Sequence, residues 1–258
     1  MTVAYTLKDG VARVTIDRPD RMNAVDLETE RALMETWDKI EKDRAVRVVV
    51  LTGTGERAFC TGADMKSGGG MTGLEYWAAP RPGGFGGIAL RTTLNVPVIA
   101  RVNGHALGGG FEMVLGCDLV IAAQNATFGL TEPRVGRLAL DGGIAMLPRR
   151  VSHVRAMSML LTGRRIAADE ALQFGLVNEV VPLAELDAAV DRWVGEILAC
   201  APLSVRAIKQ MVRAGETLTV QEAQAQRLPG LIEALQSEDQ NEGVRAFQEK
   251  RAPQWQGK

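Results

Sequence analysis

The sequence has few residues that bind metals or form disulfides: three cysteines and two histidines among 258 residues. Cys60, Cys117 and Cys200 are odd in number, widely spaced and without a CxxC pair, which argues against a disulfide framework and against a zinc site. His105 and His153 lack metal-ligand spacing and have no nucleophile beside them, so we interpret both as structural. We therefore expect no metal and a reducing compartment, namely the cytoplasm.

The sequence also lacks an excess of either charge and a long apolar run. Thirty Lys and Arg stand against 31 Asp and Glu, so no overall field would attract nucleic acid or an anionic membrane surface. No stretch reaches the roughly 18 apolar residues that a membrane-spanning helix needs. The first twenty residues alternate apolar and polar side chains, unlike a secretory leader. We expect no nucleic acid and no membrane as partners.

The first half of the chain predicts an α/β core. Residues 3–8 and 11–17 alternate at period two around Asp9-Gly10, the pattern of a β-hairpin. Asp26 is placed to cap a helix that runs to about residue 42. Apolar runs at 46–52, 96–102 and 118–122 predict buried strands, and 109–116 a helix. This repetition favours stacked strand–strand–helix units, although a doubly wound sheet fits the same pattern.

Two further regions differ in character from this core. Residues 67–90 are rich in glycine and proline but contain Leu74, Tyr76, Trp77 and Phe85, which favours a mobile loop or short helix beside a binding site; a disordered insertion is the alternative. After residue 167, helical patterns dominate. We predict a helix at 168–174, a strand at 177–181, and helices at about 184–199, 202–214 and 219–235.

Two small-residue turns follow predicted strands. Gly108 to Gly110 precede the helix at 109–116, where backbone N–H groups lack helical partners and the helix dipole favours an anion. Thr61 to Asp64 form the second turn. Two N–H donors from separate loops are what an oxyanion hole requires, although glycines that only allow close packing would show the same pattern.

Two glutamates in these units carry different weight as evidence. Glu112 falls in the first turn of the helix among apolar neighbours, where a carboxylate is costly unless it has a partner or a task. Glu132 lies in the loop after the strand at 118–122 and is weak evidence by itself.

Five strings, in this order and spacing, resemble the enoyl-CoA hydratase/isomerase, or crotonase, family, and the resemblance covers nearly the whole chain. The resemblance implies an α/β fold, a crotonase-like spiral of stacked ββα units, followed by a C-terminal helical oligomerisation region. The implied boundaries are 1–197 for the core and 198–258 for the helical region, which builds trimers and often hexamers in the family. The strings are ERAFCTGADMK, NGHALGGGFE, FGLTEPRVG, LTGRRIAADEALQFGLVNEVV and AFQEKR.

The resemblance also implies roles for individual residues. Ala63 and Gly109 match the two residues whose N–H groups hold the thioester oxygen, and Glu112 and Glu132 match the two catalytic glutamates of the hydratases. The implied reaction is the reversible addition of water to the 2,3 double bond of an enoyl-CoA thioester. Coenzyme A would be part of the substrate, with no separate cofactor. The implied CoA-binding residues are Asp64, Lys66, Phe247 and Lys250.

The sequence departs from the hydratase pattern at Leu140, which stands where the family has a glycine near the water site. We expect its side chain to narrow the acyl pocket. The sequence does not identify the acyl group of the substrate. Other activities of the same family, a carnitinyl-CoA-type dehydratase or an enoyl-CoA isomerase, remain alternatives. An RNA-binding role is remote because Lys39 and Lys42 are mixed with Asp38, Glu41 and Asp43.

Overall fold

A β-hairpin begins the fold. The structure is a computed structural model that describes residues 2–67 and 72–258. Strands β1 (Val3–Lys8) and β2 (Val11–Ile16) pair antiparallel, with Val3 opposite Ile16. Asp9 and Gly10 both have positive φ, 51° and 80°, as a two-residue turn of type I′ requires. The predicted hairpin is confirmed.

The hairpin is the edge of a six-stranded sheet with the order β1-β2-β3-β5-β7-β10. Every pairing except that of the hairpin is parallel. The four remaining strands are β3 (Val48–Gly53), β5 (Val98–Val102), β7 (Leu119–Ala123) and β10 (Glu179–Val181). Their side chains are mostly buried, as expected for strands covered on both faces.

A second, four-stranded sheet is built from short strands, three of which each follow a strand of the first sheet. Its order is β4-β6-β8-β9, and its strands are β4 (Ala58–Cys60), β6 (His105–Leu107), β8 (Thr127–Gly129) and β9 (Ile166–Ala167). The chain thus passes from β3 to β4, from β5 to β6 and from β7 to β8, stepping along both sheets. This is the stacked arrangement and not a doubly wound sheet.

Helices cover the sheets. Helix α1 (Leu27–Lys42) is capped by Asp26, whose side chain accepts from the Thr29 N–H at 2.9 Å, as predicted. The other helices are α2 (Gly73–Ala78), α3 (Gly109–Gly116), α4 (Gly143–Arg150), α5 (His153–Thr162), α6 (Ala168–Gln173), α7 (Leu186–Leu198), α8 (Pro202–Gly215), α9 (Val220–Ala225), α10 (Pro229–Leu235) and α11 (Glu238–Glu249).

Two apolar layers lie on opposite faces of the six-stranded sheet. The larger layer fills the space between the two sheets and includes Trp37, Phe59 and Phe128, all without solvent exposure. The smaller layer joins the outer face of the sheet to α7, through residues such as Val190 and Val194. Burial on both faces makes the sheet a rigid platform for the loops at its ends.

Two expectations about the loops and the C-terminal helices need correction. The predicted helix at 219–235 is wrong as a single element. Helix α9 ends at Ala225, where Gln226 is extended, and α10 begins anew at Pro229, which has no N–H to donate and disfavours a helical Leu228. A disordered insertion is also wrong for residues 72–90. They contain α2 and a buried 3-10 turn at Phe85–Gly87. The rest of the 67–90 prediction falls partly on residues 68–71, outside the described part.

Helix α8 is fastened to the core by cations. Three of its side chains donate to carbonyl groups just before or within the sheet: Arg206 to Val46, Lys209 to Val96 and Arg213 to Leu94. The domain boundary at residues 197–198 stays a prediction. No helix within residues 2–67 and 72–258 is long and apolar enough to cross a membrane.

Candidate active site

The start of α3 is built from glycines that allow very close packing. A Cβ on Gly109 would lie 2.6 Å from the ring of Phe85, and one on Gly110 would lie 2.1 Å from the carbonyl oxygen of Cys60. Gly108 has a φ of 56°. Since α3 begins at Gly109, the N–H of that residue has no partner within the helix. The predicted oxyanion donor is thus at a helix N-terminus.

The second turn lies directly against the first. Val25 forms a parallel bridge to Ala63: its N–H donates to the Gly62 carbonyl at 2.9 Å, and its carbonyl accepts from the Asp64 N–H at 2.9 Å. That pattern directs the N–H of Ala63 away from Val25. A Cβ on Gly62 would lie 3.2 Å from the nitrogen of Gly109. The structure therefore brings the turns of both predicted oxyanion donors together.

Glu112 is buried one helical turn from Gly108, with 3% of its surface exposed. Its Oε1 accepts a hydrogen bond from the N–H of Gly143 at 2.9 Å. Burial raises the pKa of Glu112 to about 8, and the negative charges of Asp141 and Glu132 act in the same direction. A carboxyl group with this pKa can hold or release a proton near neutral pH.

Glu132 reaches the same place from another unit. It begins a short 3-10 helix at Glu132–Val135, and its Oε1 would lie 3.1 Å from a Cβ on Gly108. Its Oε2 is buried and makes no hydrogen bond to any group in the described part of the chain. Burial raises the pKa of Glu132. An unsatisfied buried carboxylate oxygen costs stability, which is typical of a group kept for chemistry.

Strand pairing is what brings the two glutamates together. Strand β6 precedes α3 and pairs parallel with β8, which precedes the Glu132 loop, so Leu107 lies opposite Gly129. The N–H of Gly108 donates to the carbonyl of Gly129 at 2.9 Å. Consecutive units of the spiral therefore deliver one carboxylate each to the same pocket.

Sequence reasoning missed a third acid beside this pair. Asp141 is 5% exposed, and its carboxylate accepts a hydrogen bond from the hydroxyl of Tyr76 on α2. Arg81 lies on the other side, with its Nε 3.4 Å from Asp141 Oδ1. Tyr76 was noted as an aromatic residue near a binding site, but nothing in the sequence pairs it with Asp141. A single carboxylate within a Gly-rich turn is the only signal the sequence offers.

The residues expected to bind CoA lie in two separate places. Asp64 forms an ion pair with Arg18 at 3.0 Å, and its Oδ1 accepts from the N–H of Lys66 at 3.1 Å, so it shapes the turn that contains Ala63. Phe247 is 86% exposed on α11, and Lys250 caps that helix in the left-handed conformation. No hydrogen bond or ion pair of the described residues joins this second group to the glutamates. CoA binding by all four stays a prediction.

Leu140 is partly buried, between the buried residues Ala139 and Asp141. A Cβ on Gly143 would lie 2.9 Å from the Cβ of Ala139 and 3.0 Å from Oε1 of Glu112, so this turn forms one wall around that carboxylate. The narrowing of the acyl pocket by Leu140 stays a prediction. Within residues 2–67 and 72–258, no group of three or more His, Cys, Asp or Glu side chains is arranged to hold a metal ion.

Comparison with known proteins identifies the family. The model of the family described as "Enoyl-CoA hydratase/isomerase" matches residues 6–258. The chain belongs to this family. It is 41% identical, over the full length of both chains, to (E)-benzylidenesuccinyl-CoA hydratase of Thauera aromatica. It is 38% identical to carnitinyl-CoA dehydratase of Proteus mirabilis, over 98% of this chain and 97% of the relative.

Solved structures agree with this assignment to the enoyl-CoA hydratase/isomerase family. The enoyl-CoA hydratase of Bacillus anthracis superposes with a TM-score of 0.91 at 32% identity, covering all of both chains. The enoyl-CoA hydratase of Mycobacterium tuberculosis gives 0.88 at 32% identity, covering 100% of this chain and 99% of the other. The resemblance seen in the sequence and the crotonase fold are both confirmed. The family and the relatives make the protein an enzyme of the hydratase/dehydratase kind.

Proposed function

We propose that the protein catalyses reversible addition of water to the 2,3 double bond of an enoyl-CoA thioester. One observation carries the proposal: the buried Glu112 and the partly buried Glu132 converge from successive units beside the N-terminal Gly108–Gly109 turn of α3. The relatives named as a hydratase and a dehydratase support it, because these are one reaction in opposite directions.

The thioester oxygen would accept hydrogen bonds from the N–H groups of Ala63 and Gly109. Addition of a hydroxyl to the β-carbon moves negative charge onto that oxygen, so donors fixed in advance stabilise the enolate-like transition state. The dipole of α3 contributes positive potential at the same point. The glycines at Gly108 to Gly110 matter here because they leave the backbone accessible to the acyl group.

The two carboxyl groups would supply the proton transfers. Hydration requires a base that takes a proton from water while its hydroxyl bonds the β-carbon, and an acid that delivers a proton to the α-carbon. Burial raises the pKa of both glutamates, and the charge of Glu132 raises the pKa of Glu112 further, which favours a pair that holds one proton near neutral pH. The proton belongs to the pair, so we assign no separate titration to either residue.

The acyl group is not specified by this chemistry. A carnitinyl-CoA-type dehydratase would use the same residues, and the 38% identical relative favours it as a second candidate. An isomerase can shuttle a proton with one carboxylate, so retention of two argues against it. An acyl-CoA thioester serves as the substrate in each case, with no separate cofactor. A cytoplasmic location is part of the same proposal.

Two substitutions test the mechanism on a panel of enoyl-CoA and hydroxyacyl-CoA thioesters. Glu112→Gln and Glu132→Gln keep the shape of the side chain but remove the proton-transfer role, so kcat should fall by roughly 10²–10⁴-fold in each. Glu35→Gln, at an exposed position on α1, is the matched control and should retain full activity. Near wild-type hydration in either active-site variant would refute the two-glutamate mechanism.

A further inference from the structure

Helix α2 is held to the protein in an unusual way. It has six residues, none of them buried, and Leu74 and Trp77 are 72% and 67% exposed. So short a helix is not stable in water by itself, even with the capping box between Thr72 and Glu75. Since apolar burial does not hold it, polar contacts must.

Those contacts converge on Asp141. The hydroxyl of Tyr76, in the middle of α2, donates to Oδ2 of Asp141. The guanidinium of Arg81 lies 4.2 Å from the centre of the Tyr76 ring, with its Nε 3.4 Å from Asp141 Oδ1. Arg81 also forms an ion pair with Glu30 of α1. One tyrosine and one arginine thus fasten α2 to a single buried carboxylate and to α1.

The backbone of Asp141 faces the other way, toward the acid–base pair. Residues 141–143 form a turn in which Gly142 has a φ of 107° and the Gly143 N–H donates to Glu112 Oε1. The N–H of Asp141 is also directed at the Glu112 carboxylate, where it favours the charged form. Asp141 therefore contacts α2 with its side chain and lies in the turn whose Gly143 N–H holds Glu112.

We propose that Asp141 is a positioning residue that ties α2 to the turn holding Glu112, so that the placement of α2 over the acyl group and the orientation of that glutamate are coupled. This inference rests on the proposed function. Through Asp141, a substrate whose acyl group displaces α2 alters the geometry at Glu112. Selection among acyl groups then affects kcat as well as KM.

The charge of Asp141 gives this coupling an effect that can be measured, a change in the pKa of Glu112. The groups facing Asp141 are Tyr76, Arg81, Glu30 and Glu112, and Glu112 is also faced by Glu132. Because Asp141 and Glu112 carry like charges, removal of the first charge should lower the pKa of the second. A side chain that only filled space would not produce this shift.

Two substitutions separate the charge of Asp141 from its hydrogen bond to α2: Asp141→Asn removes the charge, and Tyr76→Phe removes the hydrogen bond. The asparagine can still accept from Tyr76 but carries no charge, so the pKa of the acid–base pair in the kcat/KM profile should fall by roughly half a unit or more. Tyr76→Phe keeps the charge of Asp141 and removes the hydrogen bond that joins it to α2. It should raise KM several-fold and speed hydrogen exchange at residues 72–79, measured by mass spectrometry. Tyr5→Phe, which removes a buried hydroxyl without a partner in the described part of the chain, is the control and should do neither.

Hydrogen exchange can be measured whether or not the enzyme is active. It therefore tests the link between Asp141 and α2 independently of the proposed function. If the wild-type enzyme hydrates no acyl-CoA of the panel, the proposed function fails, while faster exchange at 72–79 in Tyr76→Phe still supports the tie. If exchange and KM in Tyr76→Phe equal those of the wild type, the tie is refuted. If the pH profile of Asp141→Asn is unchanged while circular dichroism shows a native fold, the coupling to Glu112 is refuted.

Discussion

At the scale of single residues, Glu112 carries the clearest cost in stability. Its carboxyl group is buried beside two other acids, Asp141 and Glu132, and accepts a backbone hydrogen bond from Gly143. A charged carboxylate is less stable in this buried site than in the unfolded chain, where water solvates it. Ionisation of Glu112 therefore lowers the stability of the folded protein. The cost therefore depends on pH, which gives a test.

The stability of Glu112→Gln relative to the wild type should change with pH. The folded pKa of Glu112, about 8, lies above the ordinary value of 4.5, so the folded protein binds the extra proton and stability is lost as pH rises between these values. Glutamine resembles the protonated form at every pH. From pH 5 to pH 9 the variant should gain on the order of 3 kcal/mol relative to the wild type, less if the site relaxes. Urea unfolding at both pH values measures this gain. A stability difference between variant and wild type that does not change with pH would contradict the prediction.

Leu140→Gly tests the prediction that this side chain narrows the acyl pocket. The substitution would open space for about four carbons, and one methylene contact is worth about 1–3 kcal/mol of discrimination. We expect kcat/KM to rise for β-branched enoyl-CoA thioesters and to fall for short ones, because the wider site holds water less firmly. Leu138→Gly, at a 62% exposed position in the same loop, controls for added backbone freedom. An equal change for both substrates would mean that Leu140 points into the core.

Among the elements, α3 carries the greatest packing constraint. Its first residues press against β4 and the Phe85 turn so closely that side chains have no room at Gly109 or Gly110. Because the helix start is pinned in this way, its free N–H groups are fixed before any ligand arrives. Preorganised donors are worth more than mobile ones, since no reorganisation is needed in the transition state.

A pair of glycine substitutions separates packing from helix propensity. A Cβ on Gly110 would lie 2.1 Å from the Cys60 carbonyl oxygen, so Gly110→Ala should destabilise the fold by about 1–3 kcal/mol or more. Gly195, exposed in the middle of α7, has no atom within 4 Å of an added Cβ, so Gly195→Ala should stabilise by up to about 1 kcal/mol. Urea midpoints at one protein concentration compare them. Equal effects would mean that α3 can shift away from β4.

At the scale of the whole molecule, the helical region leaves apolar side chains uncovered. On α8 the chain itself buries Leu203 and Ala207, but Ile208 and Val212 are each 62% exposed, and Val244 on α11 is 58% exposed. Exposed apolar side chains of this kind on helices are typical of a self-association surface. The trimer or hexamer implied by the sequence stays a prediction.

Sedimentation tests it directly. We expect a trimer or hexamer at micromolar concentration, and replacement of both Ile208 and Val212 by Asp should shift the population toward smaller species, because burying two carboxylates in an interface is costly. Circular dichroism must first show that the variant is folded. A wild-type protein that sediments only as a 27.8 kDa species would refute the prediction.

The sequence determined those features that depend on a few neighbouring residues: the hairpin at Asp9-Gly10, the cap at Asp26, the bounds of α3 and the two glutamates. Tertiary structure decided which residues contact each other. Glu132 faces the oxyanion turn only because β6 pairs with β8, and Tyr76 meets Asp141 across 65 residues of chain. The register of parallel strands is set by burial and not by adjacent residues, so local patterns carry no record of these encounters.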